Sequence, residues 1–510
     1  MEMEALKGLD YLVMIVYLVG TVGFGIYLGK NIKTGKDFFL AGRKLPWWAV
    51  GMSMVVTDIG AIDVVGIAGM AYSYGIVMGN FDWIGCIPVM LIAGFLFIPY
   101  FWRSEVYTIP EFLGKRYNKA VRTAAALVWG VFLACNLGIM LNATAKMMEV
   151  MLDWPMVFSI IATAVAVGVY TYAGGLTAVV YTDVIQCIVM FVGCALTLFI
   201  GLYKAGGIYS FVEQIHNLGD QYKNHFELIL PADTKAPCPW SGILLGLGFV
   251  LAPAYWIGNQ AIVQRCLGAR SEFEAKASFM WGAILKTFIP FIMVVPGILA
   301  LAHNPNIPDA DQALPILIRD VLPVGVLGIF FAAFLAALMS SVDSCLNSAA
   351  TLITKDVYEQ YIRPNASDRH YLIVGRLITV FAIVFAVCFA IWVQRESIYA
   401  MIQTLLSIFQ GPSLAIILLG VLWWRTTGTG AFIGLVGGIA FSCSLTLINN
   451  YASQPIFQIQ EPFLYIAWWS FVFALILTAV VSLLTPPEPQ EKLVGLVHRY
   501  VMRNDYAKSN

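Results

Sequence analysis

The sequence predicts an all-α integral membrane protein with about thirteen transmembrane helices. Three observations carry the prediction. Charged residues make up 12% of the 510 and hydrophobic residues 60%, whereas a soluble domain carries about 25% charged residues. Apolar runs of roughly 18 residues or more recur along the chain, and runs of that length span a bilayer. The segments between them alternate between basic and acidic or short, as loops on opposite membrane faces do. Mean hydropathy is +0.79. The formal net charge is zero, which leaves no basic footprint for nucleic acid.

The first span, 11–29, follows MEMEALKGLD, which mixes acid with base, and lacks a small-residue cleavage ending. It therefore reads as a retained helix rather than a signal. Further spans are expected at 48–76, 82–102, 123–152, 156–174 and 178–203. After an acidic segment, 205–240, come 241–260, 277–302, 322–352, 370–393, 399–424, 431–449 and 464–485. The polar tail 486–510 opens PPEPQEK.

One set of loops is basic. Segment 30–46 holds Lys30, Lys33, Lys36, Arg43 and Lys44, and 103–122 holds Arg103, Lys115, Arg116, Lys119 and Arg122. Arg265, Arg270, Lys276, Lys355, Arg363, Arg369 and Arg425 continue the series, and the tail adds Lys492, Arg499, Arg503 and Lys508. The positive side faces the cytoplasm. An odd span count then puts the N-terminus outside and the C-terminus inside a plasma or inner membrane. Asn365-Ala366-Ser367 falls in a cytoplasmic loop and Asn142-Ala143-Thr144 inside a span, so neither glycosylation match is expected to be used. The nine cysteines form no CxxC and no Cys/His cluster, which argues against zinc and against a disulfide framework.

The stretch 55–69, VVTDIGAIDVVGIAG, puts Asp58 and Asp63 inside one apolar span. A carboxylate at mid-bilayer costs roughly 2.5–3.5 kcal/mol on insertion scales. In a continuous helix the two would point about 140° apart. A break near Gly60 would free backbone carbonyls and let both carboxylates face an internal cavity, a hard-oxygen setting suited to a small cation. The alternative for each is a packing aspartate satisfied by Ser or Lys. A second interrupted span, 241–260, carries glycines and Pro253. Four spans separate the two interruptions, which suits two inverted repeats of five helices, spans 2–6 and 7–11. The expected division is an N-terminal helix and loop at 1–47, repeat 1 at 48–203, repeat 2 at 241–424, two further helices at 425–485 and a cytoplasmic tail at 486–510.

Span nine, FAAFLAALMSSVDSCLNSAA, brings Ser340, Ser341, Asp343, Ser344, Asn347 and Ser348 into the membrane. Asp183 lies near the start of span six. Lys286 sits deep in span eight and needs a carboxylate, carbonyls or a polar ligand.

The stretches DFFLAGRKLPWWAVGMSM, YTIPEFLGKRYN, YAGGLTAVVYTDVIQ, NQAIVQRCLGAR and MSSVDSCLNSAATLITKDVY, within a similarity over roughly 10–480, make the chain resemble the solute:sodium symporter family, in its sodium/glucose cotransporter-like branch. The resemblance implies a LeuT-like core of two inverted five-helix repeats and sodium-driven uptake by alternating access. It implies a main sodium site at Val56, Ile59, Ala337, Ser340 and Ser341, with the sodium ion as transported co-substrate. Asp58, Asp183, Asp343 and Ser344 fall where the family tunes the cation site or places a second sodium. The solute positions fall on Asp63, Asp82, Lys286 and Gln403. Gly85 and Ala252 replace polar family residues. Tyr255 matches an inner gate, and Phe81 and Tyr399 outer gates.

The expected function is sodium-coupled import of a small polar solute, a sugar or polyol. Alternatives are a sodium- or proton-coupled symporter for an amino acid, amine or organic acid, and a solute sensor without transport. A membrane enzyme is not expected, since no metal cluster or nucleophile–base pair is evident. The expected partners are the small-molecule substrate and the lipid bilayer, with no nucleic acid and no obligate protein partner.

Overall fold

The computed structural model describes residues 6–30, 39–171, 176–393, 398–452, 454–459 and 461–498. Lys33, Lys36, Arg499, Arg503 and Lys508, named above, lie outside them. Apolar segments fold as helices because a bilayer offers no partner for open backbone groups. Among the described residues only two isolated bridges interrupt the helical pattern, Leu45 with Ala269 and Leu230 with Pro239.

The membrane helices of the first half are α1 (Gly8–Gly29), α2 (Trp47–Asp58), α3 (61–74), α4 (87–103), α5 (Lys119–Leu152), α6 (Met156–Thr171) and α7 (Leu176–Lys204). The second half has α8 (Trp240–Gly258), α9 (Gln260–Leu267), α10 (Glu272–Lys286), α11 (Ile289–His303) and α12 (Val326–Leu352). It closes with α13 (Asp368–Trp392), α14 (Ile398–Leu422), α15 (Gly428–Tyr451) and α16 (Phe463–Leu484). Eleven helices among the described residues are long and apolar enough to cross a membrane, against the thirteen expected. The difference lies in two places. Residues from α3 through α4 run as one apolar stretch, Asp63–Arg103, and α6 supplies only the shorter stretch Met156–Val165.

α12 is buried along almost its whole length and packs against α1, α2, α5 and α7. α1 and α13 lie outside this core: Val19 is 68% and Phe381 72% exposed, which marks a lipid-facing surface. Asp10 fixes α1 to the core. Its carboxylate accepts from the Gly325 and Gly328 amides at 2.7 and 2.8 Å, at the start of α12, where free N–H groups favour an anion.

α2 ends where expected. Ile59 leaves helical geometry (φ -89, ψ 89), and Asp63 caps the restart by accepting from the Gly60 amide at 2.9 Å. The second break departs from expectation. The glycines and Pro253 do not interrupt α8: residues Ile243–Leu251 wind as a wider π-helix, and Pro253 enters the first turn of the regular stretch that follows. The wider turn relieves the clash proline makes with the preceding turn. The chain breaks instead at Asn259 (φ -71, ψ 116), whose side chain caps α9 through the Ala261 amide at 2.9 Å. Leu45 pairs with Gly268 and Arg270 at 3.1 Å, so the entry to the first broken helix is tied to the exit of the second.

Close helix approach depends on small residues. On α2, a Cβ at Gly51 would lie 2.7 Å from the Ser278 carbonyl oxygen and 2.8 Å from the Trp281 ring, both on α10. Gly51→Val should therefore cost about 1–3 kcal/mol through overpacking. Thermal unfolding in detergent reads this directly, and an unchanged midpoint would remove this account of the α2–α10 contact.

Candidate functional site

The break at Ile59–Gly60 has two sides, and each collects one group of polar residues. One side opens on a central cavity of about 130 Å³. Its lining includes Asp58, Asp63, Phe81, Asp82, Tyr255, Lys286, Tyr399 and Gln403, so every expected solute and gate residue meets there. Lys286 is the last residue of α10 and 3% exposed. Its ammonium donates to Asp82 Oδ1 at 2.6 Å and pairs with Asp58. This meets the need for buried partners. It also turns Asp58 toward the cavity lysine.

Asp63 is held differently. Its Oδ2 takes the Gly60 amide, and among the described residues no cation pairs with it. Phe81 and Tyr399 cover one part of the cavity, ring centroids 5.4 Å apart and edge-on at 84°. Gly66 permits this closure, because a Cβ there would sit 3.1 Å from Tyr399 Cβ. Gly85 and Ala252 leave their part of the wall without polar side chains.

Polar lining residues missed in the sequence include Gln410 and Asn136. Gln410 is 1% exposed, and neither end of its amide has a hydrogen-bond partner among the described residues. Asn136 Oδ1 is likewise buried and unpartnered. The available signal was spacing: Gln410 follows Gln403 by two helical turns, which puts both on one face of α14.

The other side of the break faces α12. Ser340 and Ser341 are fully buried there, as are Val56 and Ala337, and Ile59 is 1% exposed. Ser341 Oγ donates to the Thr57 carbonyl at 2.9 Å, and Ser340 Oγ lies 3.1 Å from Thr57 Oγ1. A Cβ on Gly60 would fall 2.8 Å from Ser341 Oγ, so only glycine lets the broken end come this close. Hydroxyls and unpaired carbonyls at a helix end are the ligands a hard monovalent cation accepts.

The sequence places Arg265 among the cytoplasmic loop charges, but it lies in α9 and is 1% exposed. It was misplaced because the break falls at Asn259, so α9 continues inside the protein. Its guanidinium donates to Ser53 Oγ at 2.6 Å, Thr57 Oγ1 at 2.6 Å and Asp183 Oδ2 at 3.2 Å, and also to Ser344 Oγ. Ser53 Oγ donates to the same carboxylate at 2.5 Å. Asp183 and Ser344 therefore meet as expected, with a protein cation between them. Asp343 is buried on the same helix.

Residues 38–438 match the sodium:solute symporter family. A sodium/glucose cotransporter of Vibrio parahaemolyticus is 34% identical, over 94% of this chain and 91% of its own. A sodium/myo-inositol cotransporter of Bos taurus is 31% identical, over 96% of this chain and 75% of its own. The solved structure of a Na+-coupled sialic acid symporter, outward-open and substrate-bound, superposes with a TM-score of 0.82 at 23% identity, covering 95% of this chain and 99% of the other. A closed-state nucleobase-cation-symport-1 family transporter gives 0.56 at 11% identity, over 89% and 96%. These two establish a shared fold, the LeuT-like one. By the family match and by relatives alike along nearly its whole length, the chain belongs to the sodium:solute symporter family.

Proposed function

We propose that this protein is a sodium-coupled symporter that moves a sugar or polyol across a cell membrane by alternating access. It is a transporter and not an enzyme, as its family is. One observation carries the reading: a single helix break has buried hydroxyls and a carbonyl on one side, and a carboxylate- and amine-lined cavity on the other. Relatives that carry glucose and myo-inositol support the solute class.

In this reading sodium binds between the broken end of α2 and Ser340 and Ser341, with the carbonyls of Val56, Ile59 and Ala337 completing the shell. Asp82, Lys286 and Gln403 exchange hydrogen bonds with solute hydroxyls, and Asp58 links the two sites through Lys286. Tyr255 closes the inner side, and Phe81 with Tyr399 the outer. Residues 48–203 and 241–424 form the two repeats, with α1 outside them and α15 and α16 after them. The N-terminus faces outward and the tail lies in the cytoplasm. Arg265 supplies a fixed positive charge beside Asp183 and Ser344, which supports one sodium per solute. Asp343 tunes this region from the same helix.

Because both ligands order the same break, each raises the affinity of the other by an equal factor. One sodium crossing 100 mV contributes about 2.3 kcal/mol, apart from its concentration gradient.

Uptake of labelled glucose, galactose and myo-inositol into proteoliposomes tests the reading. An inward sodium gradient is compared with an equal potassium gradient at matched potential. Equal rates would reject sodium coupling. Ser341→Ala should raise the sodium concentration for half-maximal uptake at least tenfold, about 1.4 kcal/mol of lost binding. An unchanged sodium dependence would remove Ser341 from the site.

A further inference from the structure

The acidic and basic groups in the central cavity are unequal in number: Asp58, Asp63 and Asp82 bring three carboxyl groups, and Lys286 brings one amine. Lys286 contacts Asp58 and Asp82 and is shared between them. Among the described residues, the Asp63 carboxyl pairs only with a backbone amide. With all three ionised, two negative charges would remain uncompensated by protein groups in a cavity that also presents Ile62, Phe81 and Leu251. One sodium at the break, as proposed above, would compensate one of them. A neutral hexose brings hydroxyls but no charge, and an uncompensated carboxylate in an apolar wall is costly.

The cavity is also short of hydrogen bonds. Gln410, 1% exposed, presents both an amide donor and an acceptor that no group among the described residues satisfies. Asn136 Oδ1 adds another free acceptor in the same cavity. Buried polar atoms of this kind are normally paired, so they point independently to a ligand rich in hydroxyl and amine hydrogens. Gly85 and Ala252 offer no polar side chain on the remaining wall.

We propose that the solute of this transporter is a polyhydroxylated primary amine, of the amino-sugar or aminocyclitol kind, whose ammonium group pairs with Asp63. This rests on the reading of the central cavity as the solute site. The ammonium reaches Asp63 on the α3 side, while the hydroxyls take Asp82, Lys286, Gln403 and Gln410. Asp63 is then the residue that separates charged from neutral solutes. The discrimination is strong because a cavity that loses its counter-ion is left with an unpaired buried charge.

The test uses the full-length protein in proteoliposomes under a sodium gradient. The probes are labelled D-glucosamine, D-glucose, myo-inositol and N-acetyl-D-glucosamine, the last keeping the ring but removing the positive charge. Glucosamine is expected to show a KM at least tenfold below those of glucose and N-acetylglucosamine. Asp63→Asn should lower the glucosamine-to-glucose preference at least tenfold, and Asp63→Glu should retain it. Sodium-dependent thermal stabilisation by glucosamine gives a second readout that does not require turnover. Sodium-driven glucose or inositol uptake with no preference for glucosamine overturns the amine assignment and leaves the sugar symporter reading intact. A glucosamine preference that survives Asp63→Asn overturns the role of Asp63. Neither uptake nor stabilisation by any of the four, in protein that still unfolds cooperatively, overturns the sugar and polyol reading and the amine assignment together.

Discussion

Replacing Lys286 with methionine is expected to abolish sodium-driven uptake, with a loss of at least about a hundredfold, equivalent to roughly 2.7 kcal/mol. The lysine is 3% exposed and pairs with both Asp58 and Asp82. Methionine fills a similar volume, so packing changes little. The electrostatics change fully: three cavity carboxylates lose their one protein cation. Removing one partner of a buried ion pair costs about 3–5 kcal/mol, because the remaining charge stays buried. The variant should therefore also unfold at a lower temperature. Lys286→Met combined with Asp82→Asn removes a charge of each sign and should recover part of the stability. It should not recover uptake, because both solute-facing groups are then gone. Uptake in proteoliposomes and thermal midpoints of the three proteins check this. Wild-type uptake by Lys286→Met would take the lysine out of the solute site.

The first broken helix was legible because its signal is local. Two aspartates flank a glycine within six residues of otherwise apolar sequence, and a bilayer tolerates that only where backbone and side chains face a cavity. The solute cluster was legible for a related reason, since Lys286, Asp82 and Gln403 are polar residues within apolar spans. The second break was not. Pro253 and its neighbouring glycines give the stronger sequence signal, but a π-helical stretch absorbs the proline and the chain opens six residues later, at Asn259. Arg265 was misread as a consequence. Its burial is a non-local fact: the carboxylate that accepts its guanidinium lies 82 residues away in the chain. Gln410 was overlooked because one amide in an apolar span has an ordinary packing explanation. Only the cavity beside it and its two unpartnered ends separate that explanation from a binding role.

The Arg265–Asp183 pair should have the largest effect on stability. Both residues are at most 1% exposed, and the guanidinium also reaches Ser53, Thr57 and Ser344. It therefore ties α9 to α2 through Ser53 and Thr57, to α7 through Asp183 and to α12 through Ser344. Arg265→Leu leaves Asp183 as a buried carboxylate whose Oδ1 already has no partner. The expected cost is about 3–5 kcal/mol. Asp183→Asn should cost less, since the amide still accepts from the guanidinium and from Ser53. The Asp183→Asn/Arg265→Leu double variant should be more stable than the sum of the single effects predicts, by at least about 1 kcal/mol. Additive losses would mean that the pair does not hold these helices together. A second measurement separates holding from moving. Alternating access shifts the broken helices against their neighbours, so a clamp across four helices should set how fast the loaded protein reorients. Arg265→Lys keeps the charge but loses the planar fork that serves several acceptors at once. Its uptake should show a lower kcat with KM for solute little changed, because no clamp residue other than Thr57 lines the cavity. A KM effect without a kcat effect would place Arg265 in solute binding instead.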